Sequence, residues 1–250
     1  MWRAWVSRQL PASLKRRVRP WVVPWLYRLE RRRMRRLYAS FVGQGDLAFD
    51  VGAAEGYHSE VLLSLGASVV CVEPQRECVE AIRRRLGHHP GLTVVERAVA
   101  EVEGEVDLWV CDGEPEIATL APEPWAAGPY AGHRFLRGPT VAVTTLDALV
   151  AAHGLPVFTK IDVEGSEARV LAGLDCTLPA LSFELTRCLL EEAERCVARL
   201  LELGPVVFNY SLGRRFRLES VVWLSGDELL GALGALHRHA VGDVYARSAR

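Results

Sequence analysis

The sequence predicts an α/β protein built on a doubly wound, seven-stranded, Rossmann-like sheet, mostly parallel with one antiparallel strand and helices on both faces. Three observations predict it. Short apolar runs alternate with helix-period segments from residue 46 to about 203, the pattern of repeated βαβ units. The run Leu47-Ala48-Phe49 ends in Asp50-Val51-Gly52-Ala53-Ala54-Glu55-Gly56, a strand closing in an acid and a small-residue turn that opens into a helix. A second run, Val69-Val70-Cys71-Val72, closes in Glu73, twenty-one residues after Gly52. An acid at the tip of strand two, about 20 residues past the glycines, is placed to accept hydrogen bonds from ribose hydroxyls.

The elements follow in order. Strand one covers about 46–51 and strand two about 68–73, and the helix between them carries Tyr57, Val61, Leu62 and Leu65 on one face before Gly66 stops it. A helix with Val79, Ile82 and Leu86 ends at Gly87, and Leu92–Glu96 is strand three. Alternation over Gly104–Val110 reads as a short extra strand or hairpin. Residues 112–139 are rich in Gly and Pro, with Trp125, Tyr130, His133 and Phe135 among them; a loop of that length in a compact domain is expected to be a lid or substrate loop. Thr145 caps a short helix, Leu146–His153. Strand four is Val157–Val163, a helix spans Glu164–Leu174, strand five is Ala180–Leu185, and a long helix runs from about 188 to 203. Val206–Tyr210 and Phe216–Leu224, joined across Ser211-Leu212-Gly213-Arg214-Arg215, are expected to close the sheet as an antiparallel hairpin.

At 250 residues and 50% hydrophobic composition the chain is long enough for one sizeable core. Its net charge of −1 hides an asymmetry. Twelve of the 30 Lys and Arg, but one of the 31 acids, fall in residues 1–40, about +11 there and about −12 over the rest. We therefore divide it into a basic, Trp/Arg-rich helical extension (1–45) and one domain (46–250). The six cysteines show no C-x-x-C pair and no metal-ligand spacing, and read as small buried thiols of a reducing compartment. No run approaches the ~18–20 apolar residues of a membrane span, and the N-terminus lacks a signal-peptide core. A cytoplasmic protein is expected.

The turn also speaks to the ligand. A phosphate loop needs Gly-Lys-Ser/Thr after the glycines and a dinucleotide fingerprint needs G-x-G-x-x-G; here the spacing is Gly52-x-x-x-Gly56 behind Asp50. Gly52 and Gly56 lack Cβ and let backbone approach a ligand closely. A carboxylate just before the turn suits a cationic amino-acid ligand better than a pyrophosphate, and S-adenosylmethionine, with its ammonium and sulfonium, fits. A plain strand-to-helix turn with a capping Asp accounts for the same residues without a ligand.

A second constellation is Thr159-Lys160-Ile161-Asp162-Val163-Glu164-Gly165-Ser166-Glu167. Strand period puts Phe158, Lys160 and Asp162 on one face. A lysine in a central parallel strand is costly unless paired, so a carboxylate is expected beside Lys160, with Asp50 and Glu184 as candidates. Asp162 falls at the carboxyl end of its strand, beside the crevice where open α/β sheets bind ligands. Glu164 and Glu167 also have a plainer role as acids in the first turn of a helix. His58 and His133 stand alone in the sequence and read as surface or capping residues.

The succession FDVGAAEGY, VVCVEP, VERAV, TTLDAL, KIDVEGSEARVL and LPALSFEL resembles the FkbM-type family of S-adenosylmethionine-dependent methyltransferases over about residues 46–190. The resemblance implies a methyltransferase sheet and, usually, O-methylation of a hydroxyl on a small molecule or glycan. Carried over position by position, it implies a cofactor turn at Asp50, Gly52, Ala53, Glu55 and Gly56, a ribose contact at Glu73, and adenine beside Glu96–Val99, including Ala98 and Val99. Asp162 would lie between cofactor and acceptor, as base or orienting group, with Lys160 and Glu164 assisting. Ala54 stands where the family often has Asn, which removes a side-chain hydrogen bond. As a second mechanism, Asp162 and Glu184 would share a divalent metal ion, as acids at the ends of strands four and five do in catechol-type O-methyltransferases.

Residues 1–41 hold Trp2, Trp5, Trp21, Trp25 and the run Arg31-Arg32-Arg33-Met34-Arg35-Arg36. Val22, Trp25, Leu26 and Leu29 share one helical stripe, and Met34, Leu37, Tyr38 and Phe41 another. The first expectation is a helix that packs its aromatics on the body and leaves its arginines in water. An anionic membrane surface, at the inner face of the membrane, is the second, and nucleic acid ranks last. Against the enzyme stands a second class: a cofactor-binding but inactive scaffold, or a partner recruited to a membrane surface.

Overall fold

The computed structural model describes residues 27–112, 114–122 and 132–249. Expectations for Trp2, Trp5, Trp21, Trp25, the stripe from Val22 to Leu26, Trp125 and Tyr130 lie outside these residues.

A helix over residues 27–38, α1, precedes β1 (Leu47–Val51), α2 (Tyr57–Ser64), β2 (Ser68–Val72), α3 (Arg76–Leu86) and β3 (Leu92–Val95). Four strands, β4 (Ala98–Val99), β5 (Gly104–Cys111), β6 (Glu114–Thr119) and β7 (Phe135–Thr144), form a separate sheet in the order β4-β7-β5-β6. The chain then returns through α4 (Leu146–His153), β8 (Phe158–Ile161), α5 (Glu167–Ala172), β9 (Ala180–Thr186), α6 (Leu190–Leu203), β10 (Val206–Leu212), α7 (Gly226–Gly234) and β11 (Val241–Ser248). The main sheet has seven strands in the order β10-β11-β9-β8-β1-β2-β3. Within this sheet β11 runs opposite to the other six strands. The seven-stranded α/β architecture is as the sequence predicts.

Two expectations are corrected. The final antiparallel strand is β11, not Phe216–Leu224. After β10 the chain turns at Gly213 and Phe216, both at positive φ, and returns along β10 without forming a strand, held by Glu219 N–H on the Tyr210 carbonyl, by the Asn209 side chain on Ser220, and by the bridge Phe208–Leu224. Ser225 then starts α7 with a capping box to Glu228, a signature readable in the sequence. The segment 112–139 is also not one loop, because β6 and the start of β7 occupy part of it, paired against β5.

Register explains where the polar residues go. Side chains alternate along each strand, and Phe49, Val51, Ile161, Leu181, Phe183, Leu185, Val244 and Ala246 form one continuous core with residues of α4, α5, α6 and α7. Opposite parity puts Ala48, Phe158, Ala180 and Tyr245 on the other face, under Met34, Leu37 and Tyr38 of α1 and Val61 and Leu62 of α2. Phe41 stacks on Phe158 and Tyr245, at 5.1 and 5.7 Å between ring centroids. The stripe Met34-Leu37-Tyr38-Phe41 is therefore a core face, as its spacing predicts. On this second face the sheet changes character toward its carboxyl end. Asp50 pairs with Lys160, Lys160 with Ser182, and Ser182 with Tyr245. Two residues further on, Glu184 lies opposite Asp243 and Asp243 opposite Ser211.

Candidate active site

The strand order reverses between β1 and β8, where the chain from β1 turns to one side of the sheet and the chain from β8 to the other. Crevices at such points, outside the carboxyl ends of the strands, are where open α/β sheets hold ligands. Asp50, the Gly52–Gly56 turn, Lys160 and Asp162 all fall there.

Gly52 has φ 76°, and a Cβ at this position would lie 1.9 Å from the Asp162 carbonyl oxygen. The glycine is thus demanded by the backbone that follows β8 as well as by its own left-handed conformation. Gly52 and Ala53 donate to the Val72 carbonyl at 2.9 and 3.1 Å, which ties the turn to β2. Gly56 starts α2 in the left-handed region with no side chain to cap it. Asp50 does so instead, accepting from the Ser59 backbone N–H at 2.8 Å and the Ser59 hydroxyl at 2.6 Å through one oxygen. Its other oxygen is buried without a hydrogen bond. Burial pushes the Asp50 carboxyl up to about 6, with Ser59 and Lys160 pulling against it.

Glu73 stands at the tip of β2. One oxygen accepts from Ala54 N–H and the other from Gln75 N–H, each at 2.8 Å. Burial pushes this carboxyl up to about 7 while the two N–H groups pull it back. Ala54 itself sits at φ 47°, a region in which Asn is favoured over Ala. Ala53 is packed against Cys71 and Ile82, and Glu55 is exposed, accepting from the Tyr57 hydroxyl. Ala98 and Val99 are buried and form β4 against Val143 and Thr144, so their side chains are committed to the protein interior.

Lys160 is 1% exposed. The expected carboxylate is present, but it is neither Asp50 nor Glu184. Lys160 Nζ donates to Asp243 Oδ1 at 2.6 Å and stands 3.5 Å from Asp162 Oδ2. Asp243 belongs to β11, a strand absent from the sequence expectation, in which four successive residues, Asp243–Ala246, are buried. Burial pulls the ammonium down, but Asp162 and Asp243 more than offset it and leave it well above the usual lysine value. His58 contacts the Tyr38 hydroxyl at 2.6 Å. Burial, then the Lys160 charge, pushes its ring down to about 3, so it is a neutral, half-buried residue.

Past β8 the chain turns sharply. Glu164 has φ 55° and is 6% exposed; it precedes α5, so its expected place in the first helical turn is corrected. Only Glu167 lies in that turn. Glu167 reaches back to accept from Val163 and Gly165 N–H at 3.1 and 3.2 Å, which holds the bend. Burial raises Asp162, with Lys160 pulling it back and Asp243 pushing it up. Burial and then Asp162 raise Glu164 well above the usual carboxylate range, and Glu184 is raised by burial, then by Asp162 and Glu164. One carboxylate oxygen from each of Asp162, Glu164 and Glu184 lies within 4.8 Å of the other two.

This carboxylate-rich, cation-seeking crevice fits a ligand with an ammonium, a sulfonium and ribose hydroxyls. The family described as the methyltransferase FkbM domain matches residues 50–193. No curated protein matches the chain significantly. Among solved structures, the chain is similar to the precorrin-6Y C5,15-methyltransferase of Geobacter metallireducens. The two are 12% identical, with 90% of this chain and 88% of that one covered and a TM-score of 0.47. It is also similar to an rRNA methylase of Streptococcus thermophilus, 9% identical over 86% and 94% of the two chains, with a TM-score of 0.45.

Proposed function

The chain belongs to the FkbM methyltransferase family, and from that membership we propose that it methylates a hydroxyl of a small molecule or glycan, in the cytoplasm, through residues 46–250. S-adenosylmethionine supplies, when bound, a methyl group already activated on sulfur. The protein's part is to hold the acceptor in line, exclude water and take up the hydroxyl proton. Glu73, Asp50 and the Gly52–Gly56 turn would hold the cofactor's ribose and amino-acid ends. No hydrogen bond reaches Asp162 Oδ1, although it is buried, and this free acceptor at the carboxyl end of the β8 segment carries the proposal. Asp162 Oδ1 receives the hydroxyl proton or orients the hydroxyl, and its raised affinity for protons suits it to work nearer neutral pH. Lys160, pinned by Asp243, holds the second oxygen of Asp162 and so fixes the direction of the first.

Replacing Asp162 with Asn tests this. We expect at least a hundredfold loss of methyl transfer from labelled S-adenosylmethionine, with S-adenosylhomocysteine affinity within a few-fold of wild type by calorimetry. Unchanged turnover would overturn the role of Asp162. Failure of wild type to bind S-adenosylhomocysteine would favour the other class, an inactive scaffold, for which Ala54 in place of the common Asn speaks. Among the described residues no helix is long and apolar enough to cross a membrane. We also read the arginines of the N-terminal extension as able to meet an anionic membrane surface, because Arg28, Arg32, Arg33, Arg35 and Arg36 are exposed on α1. Nucleic acid is not proposed as a partner.

A further inference from the structure

We infer that Asp162, Glu164 and Glu184 form a binding site for one hard divalent cation, Mg²⁺ or Mn²⁺, at the mouth of the crevice. Three carboxylates converge there, each offering an oxygen within 4.8 Å of the other two. Crowded acids alone would not argue for an ion. Two buried oxygens in this group, Glu164 Oε2 and Asp162 Oδ1, have no hydrogen-bond partner, and the Glu164 residue is 6% exposed. Buried carboxylate oxygens are expected to be paired or to coordinate metal.

The nearby ammonium cannot serve all three acids. Lys160 Nζ is engaged by Asp243 at 2.6 Å and reaches Asp162 only through Oδ2, at 3.5 Å. That leaves Oδ1 of the same carboxylate turned to other uses. Glu167 does not complete the group either, since its Oε1 is occupied by the backbone N–H groups of Val163 and Gly165. An all-oxygen donor set selects Mg²⁺, Mn²⁺ or Ca²⁺ over softer metals. With three protein carboxylates, the remaining coordination positions are open to water or to acceptor oxygens. The site deepens the hydroxyl-methylation proposal and rests on it for its purpose: with the ion in place Asp162 Oδ1 would orient the acceptor through the cation rather than take its proton, and the cation would bind the acceptor oxygen and make that proton easier to lose to water.

The test uses the full chain and Mn²⁺ as probe, following the free-ion signal by electron paramagnetic resonance. We expect one Mn²⁺ per chain, displaced by excess Mg²⁺, and at least tenfold weaker binding in Glu164→Gln and in Glu184→Gln. A second readout guards against a misfolded variant. Mn²⁺ should raise the melting temperature of wild type but leave that of a folded Glu164→Gln unchanged. No stoichiometric binding in wild type, or wild-type affinity in both variants, would overturn the site. S-adenosylhomocysteine titration without metal separates the two proposals. Mn²⁺ binding as expected with no cofactor binding would sink the methyltransferase mechanism and leave the cation site standing; cofactor binding without Mn²⁺ binding would do the reverse.

Discussion

Lys160 shows how one residue couples fold to chemistry. Fully buried between Asp243 and Asp162, it is the cation that permits a row of acids at the carboxyl ends of β8 and β9 and the amino end of the antiparallel β11. Removing one partner of a buried pair leaves an uncompensated charge and costs roughly 3–5 kcal/mol. Lys160→Met is therefore expected to destabilise the protein by about that much, read from urea denaturation; a loss under about 1 kcal/mol would mean that the acids simply protonate. Ala54 offers the opposite sign. A non-glycine residue in the left-handed region costs about 1 kcal/mol or more, and Asn tolerates that region best. Ala54→Asn should raise stability by roughly 0.5–1 kcal/mol and strengthen S-adenosylhomocysteine binding, if the side chain supplies the hydrogen bond that Ala54 lacks. A lower melting temperature for this variant would show that the site has been rebuilt around the methyl group.

At the scale of elements, α1 decides what the basic extension does in the described residues. Its arginines face outward while Met34, Leu37 and Tyr38 are buried against the sheet. Arg31 and Arg85 both reach Glu60 of α2, and Arg214 reaches Glu30. The helix is thus built into the second core as well as bearing charge. Leu37→Ala should cost about 2–3 kcal/mol, within the usual range for truncating a buried leucine. An effect below about 0.5 kcal/mol would mean that α1 lies loosely on the sheet. Gly52 marks a close approach between elements, because the chain leaving β1 lies against the carbonyl that follows β8. The Gly52–Gly56 turn and the Asp162 segment are therefore packed directly on one another.

For the whole molecule, buried acids set the pH response. Glu73 and Asp50 are pushed up to about 7 and about 6 by burial, against unfolded values of about 4.3 and 3.9. A raised carboxylate means the folded chain holds more protons than the unfolded one. Its contribution to stability is present below about pH 4 and lost as pH rises through 6 to 7. His58 works the other way: held near 3 by burial, it favours the fold above its unfolded value of about 6.5 and loses that as pH falls. Above pH 6.5 the histidine contributes little slope, and Glu73 shares the remaining slope with the other acids raised by burial, Glu164, Glu167 and Glu184. Without added ligand, the melting temperature should fall between pH 6 and 8, and Glu73→Gln should flatten that fall. An unchanged pH slope in the variant would show that Glu73 is ionised throughout.

The sequence by itself determined the alternation of strands and helices, the glycine turn after β1, the acid ending β2, and the presence of a carboxylate for Lys160. Each depends on local periodicity, on the steric freedom of glycine or on the cost of an unpaired charge, and none needs a distant neighbour to be known. Only the tertiary structure decided which carboxylate that is. Asp243 lies 83 residues from Lys160 in sequence, and reaches it because β11 inserts between β9 and β10. The missed strand and the mistaken partner were therefore one error. The convergence of Glu164 with Asp162 and Glu184 was equally illegible, since it follows from a left-handed bend that helix periodicity would have continued straight through. Strand pairing and backbone reversal place these acids together, and both are set by packing across the whole sheet.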